Sequence, residues 1–288
     1  MLVLENQFVK AEFLVMGAEL KSFKLKKSDR EIMWDANPEY WAKTSPILFP
    51  IIGRLKDDAY IYAGKSYSLE KHGFARNKEF QLVKSTADEI QFRLKADAKT
   101  LQQYPFDFEL LVVYKLQGEK LTCLYEVINN GYQTMFFSLG GHPAFAIGNE
   151  STSYSTYKLI FNKDTELKRF AVTEEGFIDM NSYYFSLVNS AISLTHELFY
   201  QDALVFRDYK SNQLKIQSDK VNEGLIFEFN DFPYLGIWAA KDANFVCLEP
   251  WCGLADAEDH NQILENKTGI VSLSPAEKFS RSWSVIPF

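Results

Sequence analysis

Two short segments, far apart in the chain, each hold one side chain that can give or take a proton. Gly140–Pro143 reads Gly-Gly-His-Pro and presents His142, and Leu248–Trp251 reads Leu-Glu-Pro-Trp and presents Glu249. Each of these two side chains ends an extended apolar run, and the proline that follows keeps its backbone extended. An imidazole and a carboxylate fixed in this way favour general acid–base chemistry.

The glycines before His142 permit unusual backbone angles and the close approach of a ligand to the main chain. The alternative is a tight turn in which the imidazole only satisfies a backbone group. Glu249 shares one strand face with Phe245 and Cys247 by alternation. Beside Trp251 it would lose water, which raises the pKa of a carboxyl and makes it a better base. The alternative here is an edge-strand carboxylate in solvent.

Two loops add cationic side chains that suit a polar ligand. Arg54 follows the apolar run Phe49–Ile52, and His72–Arg76 reads His-Gly-Phe-Ala-Arg. A guanidinium is planar and can donate paired hydrogen bonds to hydroxyls or phosphate. The alternative is that Arg54 and Arg76 form only exposed salt bridges, which contribute little to stability. Asp202 precedes an apolar strand, either as a strand-start polar group or as an acceptor for a sugar hydroxyl.

The sequence leaves a metal centre open, because His72, His142 and Glu249 would form a two-histidine, one-carboxylate triad if strands brought them together. His196 and His260 are interpreted as surface polar groups. The motifs G-x-S-x-G, G-x-G-x-x-G, H-E-x-x-H and the P-loop are absent from the sequence, which disfavours the enzyme classes that they mark.

Apolar and polar residues alternate with period two along most of the chain, which predicts many short strands. Turn residues between alternating runs predict hairpins over Tyr60–Tyr67, Phe80–Lys95 and Phe106–Ile128. Helical signal is confined to Thr100–Tyr104 and Leu194–Tyr200. The pattern predicts an all-β fold, a large antiparallel β-sandwich, in one domain over residues 1–288, since no linker or repeat interrupts it.

The composition limits the partners of the chain. Its 288 residues carry a formal net charge of −7, which disfavours nucleic acid and anionic membranes. No apolar run approaches the ~18 residues of a membrane-spanning helix, and the N-terminus lacks the basic region of a signal peptide. Three cysteines, Cys123, Cys247 and Cys252, fit a reducing cytoplasm. We therefore expect a cytoplasmic protein without nucleic-acid or membrane partners.

Four motifs together resemble the aldose 1-epimerase (galactose mutarotase) superfamily, and within it a LacX-like branch. They are Gly53–Arg54, His72–Arg76, Gly140–Phe145 and Leu248–Trp251, and the similarity continues to a closing strand over Leu273–Trp283. The resemblance implies a galactose mutarotase-like supersandwich with a sugar bound in an open cleft across one sheet. It also implies that neither a cofactor nor a metal takes part.

The resemblance further implies roles for single residues. His142 matches the general acid of the family and Glu249 its general base. Arg54 and His72 match positions that hold sugar oxygens, and Asp202 a hydroxyl-binding aspartate. The complete set of substrate-binding candidates is Arg54, His72, Arg76, Asp202, Phe145 and Trp251, with the two aromatic residues stacking on the sugar.

Three alternatives remain open beside a mutarotase for neutral hexoses. The stretch His72–Arg76 resembles the hexose-6-phosphate 1-epimerase branch, in which Arg54 and Arg76 would grip phosphate. A metal-dependent enzyme and a non-catalytic carbohydrate-binding protein are the others. The acidic net charge favours a neutral hexose as the small-molecule substrate, and a homodimer is left open.

Overall fold

The structure is a computed structural model that describes residues 1–148 and 152–288. Strands dominate its regular structure, as the period-two alternation predicts. In chain order, the strands of the described residues are β1 Leu2–Glu5, β2 Val9–Phe13, β3 Leu20–Leu25, β4 Arg30–Glu31, β5 Ile47–Leu48, β6 Ala59–Tyr62, β7 Lys65–Ser68, β8 Gln81–Ser85, β9 Glu89–Lys95, β10 Phe108–Gln117, β11 Lys120–Asn129, β12 Met135–Phe137, β13 Leu139–Gly141, β14 Ala144–Ala146, β15 Tyr157–Phe161, β16 Glu166–Val172, β17 Ile178–Ser186, β18 Ala191–Ser193, β19 Leu204–Arg207, β20 Gln213–Ser218, β21 Gly224–Glu228, β22 Tyr234–Trp238, β23 Phe245–Cys252, β24 Val271–Leu273 and β25 Lys278–Pro287.

Two large antiparallel sheets pack face to face. The nine-stranded sheet has the order β18-β15-β20-β21-β25-β11-β10-β9-β8, and the eight-stranded sheet has the order β17-β16-β19-β22-β23-β13-β5, with β14 also paired to β23. Aromatic rings meet between the sheets, with centroids 5.6 Å apart for Phe145 and Phe227 and 6.4 Å apart for Phe161 and Phe206. The predicted antiparallel β-sandwich is therefore confirmed.

Alternation explains why the hairpin strands form where the sequence predicts them. Every second residue of β11 is buried, so one face of this strand packs on the core while the other meets water. The turn at Gly118 has φ of 60°, a conformation that glycine adopts without strain. The predicted hairpins over Tyr60–Tyr67, Phe80–Lys95 and Phe106–Ile128 correspond to β6–β7, β8–β9 and β10–β11.

The short helical segments also lie near their predicted positions. An α-helix, α1, spans Ala98–Gln103 and begins at a capping box between Asp97 and Thr100. The segment predicted over Leu194–Tyr200 is a single 3-10 turn at His196–Phe199. Among the described residues, no helix has the length and apolar character needed to cross a membrane. The single domain over residues 1–288 stays a prediction.

Candidate active site

A cavity of about 330 Å³ opens on the eight-stranded sheet beside the central strand β23. Its wall includes the tip of the β16–β17 hairpin, which contributes Val172, Gly176 and Ile178. The predicted site residues found in its lining are His142, Glu249, His72, Arg76, Asp202 and Trp251. Arg54 and Phe145 are not among its lining residues.

Antiparallel pairing brings the two proton-transferring residues together. Gly140 of β13 pairs with Trp251, and Ala144 of β14 pairs with Cys247 of the same strand β23. His142 lies midway between these two pairs, so it stands opposite Glu249. The Nε2 atom of His142 is 3.1 Å from Oε2 of Glu249. Both side chains are buried, and both face the cavity.

The glycines before His142 make room for aromatic side chains rather than for unusual backbone angles. A Cβ atom on Gly140 would lie 2.6 Å from Cδ1 of Trp251, and one on Gly141 would lie 2.8 Å from the side chains of Trp283 and Tyr125. On the other flanking strand, a Cβ on Gly236 would meet the Trp251 ring at 2.7 Å. Glycines on both sides thus admit the Trp251 indole to the cavity wall.

Two tryptophans that the sequence analysis missed enclose the imidazole of His142. The Trp41 ring stacks on it with centroids 4.8 Å apart, and the Trp238 ring meets it edge-on at 5.8 Å. The carbonyl of Pro46 accepts a hydrogen bond from the backbone N–H of His142. Burial in these surroundings lowers the pKa of His142 to about 3, and the positive charges of Lys71 and Arg76 add to the shift.

Burial has the opposite effect on the carboxyl group. It raises the pKa of Glu249 well above its ordinary value; Lys71 opposes this shift and Asp202 adds to it. A lowered imidazole pKa beside a raised carboxyl pKa favours a neutral imidazole next to a protonated carboxyl, so that the pair shares one proton. That proton can lie on Glu249, which gives a neutral pair, or on His142, which gives an ion pair with the same total charge.

The one-proton pair predicts an unusual pH dependence. An ordinary histidine takes up a proton below its pKa of 6.5, whereas burial keeps His142 neutral until the pH approaches about 3. We expect the pH profile of kcat/KM, which reports the groups of the free protein, to show no titration of His142 near pH 6.5. A falling acidic limb with an apparent pKa near 6.5 would contradict the one-proton pair.

His72 lies beside this pair as a neutral hydrogen-bond donor. Its Nδ1 accepts a hydrogen bond from the backbone N–H of Gly53 at 3.1 Å, which leaves the ring proton on Nε2. Burial lowers the pKa of His72 well below its ordinary value, and His142 and Lys71 add to the shift. An uncharged imidazole of this kind can donate to a ligand oxygen in the cavity.

Cationic and anionic side chains share the rest of the cavity wall. Lys71 lines the cavity beside Arg76, and Nη2 of Arg76 donates to the carbonyl of Lys71 at 2.7 Å. Asp202 lies two residues before β19 with a φ of 71°, and its Oδ1 accepts a hydrogen bond from Ala203 N–H at 2.7 Å. Arg76 and Asp202 both line the cavity, and their roles toward a ligand stay predictions.

The expected contact between Arg54 and a sugar is not what the structure shows. The guanidinium of Arg54 donates to the carbonyl of Glu175 at 3.0 Å, lies 5.4 Å from the ring centre of Phe177 and pairs with Asp58 at 3.4 Å. Glu175 and Phe177 belong to the tip of the β16–β17 hairpin. Arg54 therefore holds this wall of the cavity in place and does not line the cavity itself.

This arrangement predicts that Arg54→Ala loosens the hairpin tip. The cation–π contact of an exposed arginine contributes about 1 kcal/mol, so local opening should increase ~5-fold. A glutamyl endopeptidase should then cleave after Glu174 or Glu175 faster in the variant than in the unmodified chain. Equal cleavage rates would show that Arg54 does not secure the tip.

The prediction that Phe145 stacks on the sugar is wrong. Phe145 of β14 pairs with Val246, whereas Glu249 lies at an odd-numbered position on the other face of β23. The Phe145 side chain is fully buried and packs against Phe227 of the opposite sheet. Phe245 lies on the cavity-facing side of β23 instead, and its ring stacks on the ring of Trp41 with centroids 5.7 Å apart.

Comparison with known proteins agrees with this fold. A family model described as aldose 1-epimerase matches residues 1–266, and the chain therefore belongs to the aldose 1-epimerase family. Protein LacX, chromosomal, of Lactococcus lactis is 33% identical over 294 residues, covering 98% of this chain and 97% of the relative. This similarity supports the LacX-like branch of the family.

Two further matches are a solved structure of the same fold and a more distant relative. An X-ray structure of a galactose mutarotase related enzyme from Lactobacillus acidophilus is 35% identical, with a TM-score of 0.95, covering 99% of this chain and 96% of that one. A putative glucose-6-phosphate 1-epimerase of Salmonella typhimurium is 29% identical over 160 residues, 52% of this chain and 49% of the relative. The galactose mutarotase-like fold is thus confirmed.

Proposed function

We propose that this chain is an isomerase that interconverts the α and β anomers of a hexose by opening and closing the sugar ring. The contact between His142 and Glu249 carries the proposal: two buried groups 3.1 Å apart share one proton at the wall of a cavity of about 330 Å³. Ring opening removes a proton from the anomeric hydroxyl and delivers one to the ring oxygen. Both oxygens are bonded to the same carbon, so two adjacent groups reach both at once.

The reaction starts from the ion-pair form, which the polar groups of a bound sugar would stabilise. Glu249 takes the proton of the hydroxyl on C1, the C1–O5 bond breaks, and His142 donates its proton to O5. The product is the open-chain aldehyde, and rotation about the C1–C2 bond presents its other face. On closure the C5 hydroxyl attacks C1 and returns its proton to His142, while Glu249 protonates the carbonyl oxygen.

The proton balance explains why a one-proton pair suits this reaction. The pair ends each cycle with the single proton with which it began, so the reaction consumes no oxidant, reductant or second substrate. His72, Arg76 and Asp202 supply donors and an acceptor for the sugar hydroxyls, and Trp251, Trp41 and Trp238 supply aromatic faces for its C–H groups.

The test is a polarimetric assay of freshly dissolved pure anomers of several free hexoses. The proposal expects the chain to accelerate the approach to anomeric equilibrium for at least one hexose, in proportion to the amount of protein. A chain that binds a sugar without accelerating the exchange would be a carbohydrate-binding protein instead.

A hexose 6-phosphate is a second candidate substrate, because two cationic side chains, Lys71 and Arg76, line the same cavity. The similarity to the putative glucose-6-phosphate 1-epimerase of Salmonella typhimurium favours it as well. A phosphate dianion would gain charge-assisted hydrogen bonds from the guanidinium of Arg76. The acidic charge of the whole chain opposes a dianion, and we retain the neutral hexose as the first choice.

Arg76→Ala separates the two substrates. If phosphate binds at Arg76, kcat/KM for a hexose 6-phosphate should fall ~10-fold or more, because a charge-assisted hydrogen bond is lost, while kcat/KM for the free hexose is retained. Arg54→Ala is the matched control, since Arg54 turns away from the cavity and its loss should affect both substrates equally. Equal losses for both substrates in Arg76→Ala would contradict the phosphate pocket.

The cellular setting stays a prediction. All three cysteines are free and buried, which supports a location in the reducing cytoplasm. The homodimer that the sequence left open is likewise untested. Size measurement of the purified chain in solution would decide its oligomeric state.

A further inference from the structure

A thiol lies next to the proposed catalytic pair, on the same face of the same strand. Cys247 and Glu249 are two residues apart on β23 and therefore point to the same side of the sheet. His142, Cys247 and Glu249 each offer a ligand atom, and these atoms lie within 4.8 Å of one another. Within residues 1–148 and 152–288 this is the one group of three such donors. It replaces the triad considered from the sequence, because Cys247 takes the place of His72.

The spacing of these atoms suits a tetrahedral cation. Zinc bonds of about 2.0 to 2.3 Å at tetrahedral angles place neighbouring ligand atoms about 3.3 to 3.7 Å apart. The imidazole and carboxylate atoms already lie 3.1 Å apart, and the thiol, within 4.8 Å of both, has to move closer to complete the set. His142 and Glu249 line the cavity, so water or a ligand in the cavity would supply the fourth bond.

One polar atom of the group, Oε2 of Glu249, is buried and accepts no hydrogen bond, although it faces Nε2 of His142 at 3.1 Å. Buried polar atoms usually have partners, so such atoms call for an explanation. Both side chains are more than nine-tenths buried and face the cavity. The lone pair of Oε2 that no hydrogen bond takes up is therefore available to a cation beside Nε2 of His142.

We propose that His142, Cys247 and Glu249 form an inhibitory Zn²⁺ site. One imidazole, one thiolate and one carboxylate are a donor set that Zn²⁺ accepts, whereas Mg²⁺ and Ca²⁺ prefer oxygen ligands alone. A bound ion occupies the electron pairs with which His142 and Glu249 would move protons. It also occupies the space of the anomeric carbon, so Zn²⁺ and sugar compete for the cavity. The inhibition rests on the proposed function; the binding does not.

The binding test uses Co²⁺ as a spectroscopic probe of the chelator-treated full-length chain. We expect one equivalent of Co²⁺ to bind with a thiolate-to-cobalt charge-transfer band, and Zn²⁺ to displace it. Cys247→Ser should abolish the band and weaken binding ~10-fold or more. Cys252→Ser is the matched control and should keep both, since Cys252 lies on the same strand outside this group. Absence of the band from the unmodified chain, or its persistence in Cys247→Ser, would overturn the site.

The inhibition test uses the same variants. Zn²⁺ should raise the apparent KM for the sugar in the unmodified chain and in Cys252→Ser, and ~10-fold more Zn²⁺ should be needed in Cys247→Ser. Inhibition of each variant is measured relative to its own activity in the absence of metal, and Cys247→Ala serves if the serine variant fails to fold. Equal inhibition of Cys247→Ser and the unmodified chain would overturn the proposal. If no hexose is turned over at all, the proposed function fails, while the cobalt spectrum still decides the metal site.

Discussion

Glu249→Gln is expected to lower the rate of anomer exchange by ~10²-fold or more. The amide keeps the shape of the carboxyl but can no longer take the proton of the anomeric hydroxyl. Because the site needs one proton shared by two groups, a neutral amide also removes the partner that stabilises protonated His142. The measurement is kcat with saturating sugar, together with a far-UV circular dichroism spectrum that reports the fold.

Glu19→Gln is the matched control for this experiment. Glu19 is also buried, but its Oε1 accepts hydrogen bonds from the backbone N–H groups of Thr44 and Ser45, and an amide oxygen can accept them equally. This control should keep near-normal activity. A folded Glu249→Gln variant that exchanges anomers at nearly the normal rate would end the assignment of Glu249 as the base.

Lys267→Met is expected to destabilise the fold by about 3 kcal/mol. Nζ of Lys267 lies 2.7 Å from Oδ1 of Asp256, and both side chains are buried. Removal of one partner leaves an uncompensated buried charge, which costs about 3–5 kcal/mol. We choose the lower end because Lys56 N–H still donates to Asp256 at 2.9 Å. The midpoint of urea unfolding measures the loss.

The double variant Asp256→Asn, Lys267→Met tests the cause of this loss. Asparagine removes the buried negative charge and keeps an oxygen that can accept from Lys56 N–H. The double variant should therefore recover much of the stability that Lys267→Met loses. If both variants are equally unstable, the packing of the lysine chain matters more than its charge.

This ion pair also supports the site. Backbone groups of Asp256 bond to Arg54 and Ile178, and Ala255 before it lines the cavity. Neither residue carried a sequence signal, because single charged residues in a loop are usually exposed. Their burial depends on contacts between segments that are distant in the chain, and no local pattern reports such contacts.

Much of the fold followed from local patterns. Strands with one solvent-exposed face, such as β11, show a clear alternation of apolar and polar residues, so their positions could be predicted from the sequence. The edge strand β17 is mostly exposed, so it lacks alternation and was missed. The closing strand β25 spans Lys278–Pro287, several residues beyond the predicted Leu273–Trp283, because the family resemblance located it only approximately.

The candidate site was likewise predicted only in part from the sequence. His142 and Glu249 were found because each lies in a fixed motif, and register places them opposite each other. Phe145 was misplaced because a shift of one position reverses the face of a strand residue. Trp41 and Trp238 were missed because tryptophans in an aromatic-rich chain are usually core residues, and only the folded chain brings them to His142.

The central claim is that the chain exchanges anomers by moving oxygen-bound protons alone. Saturation transfer between the α and β anomeric proton signals, recorded by NMR in D₂O with the unmodified chain, tests it directly. The account predicts faster transfer than in buffer for at least one hexose, with no deuterium entering at C1 or C2. Transfer at the buffer rate for every free and phosphorylated hexose, or deuterium at C2, would contradict it.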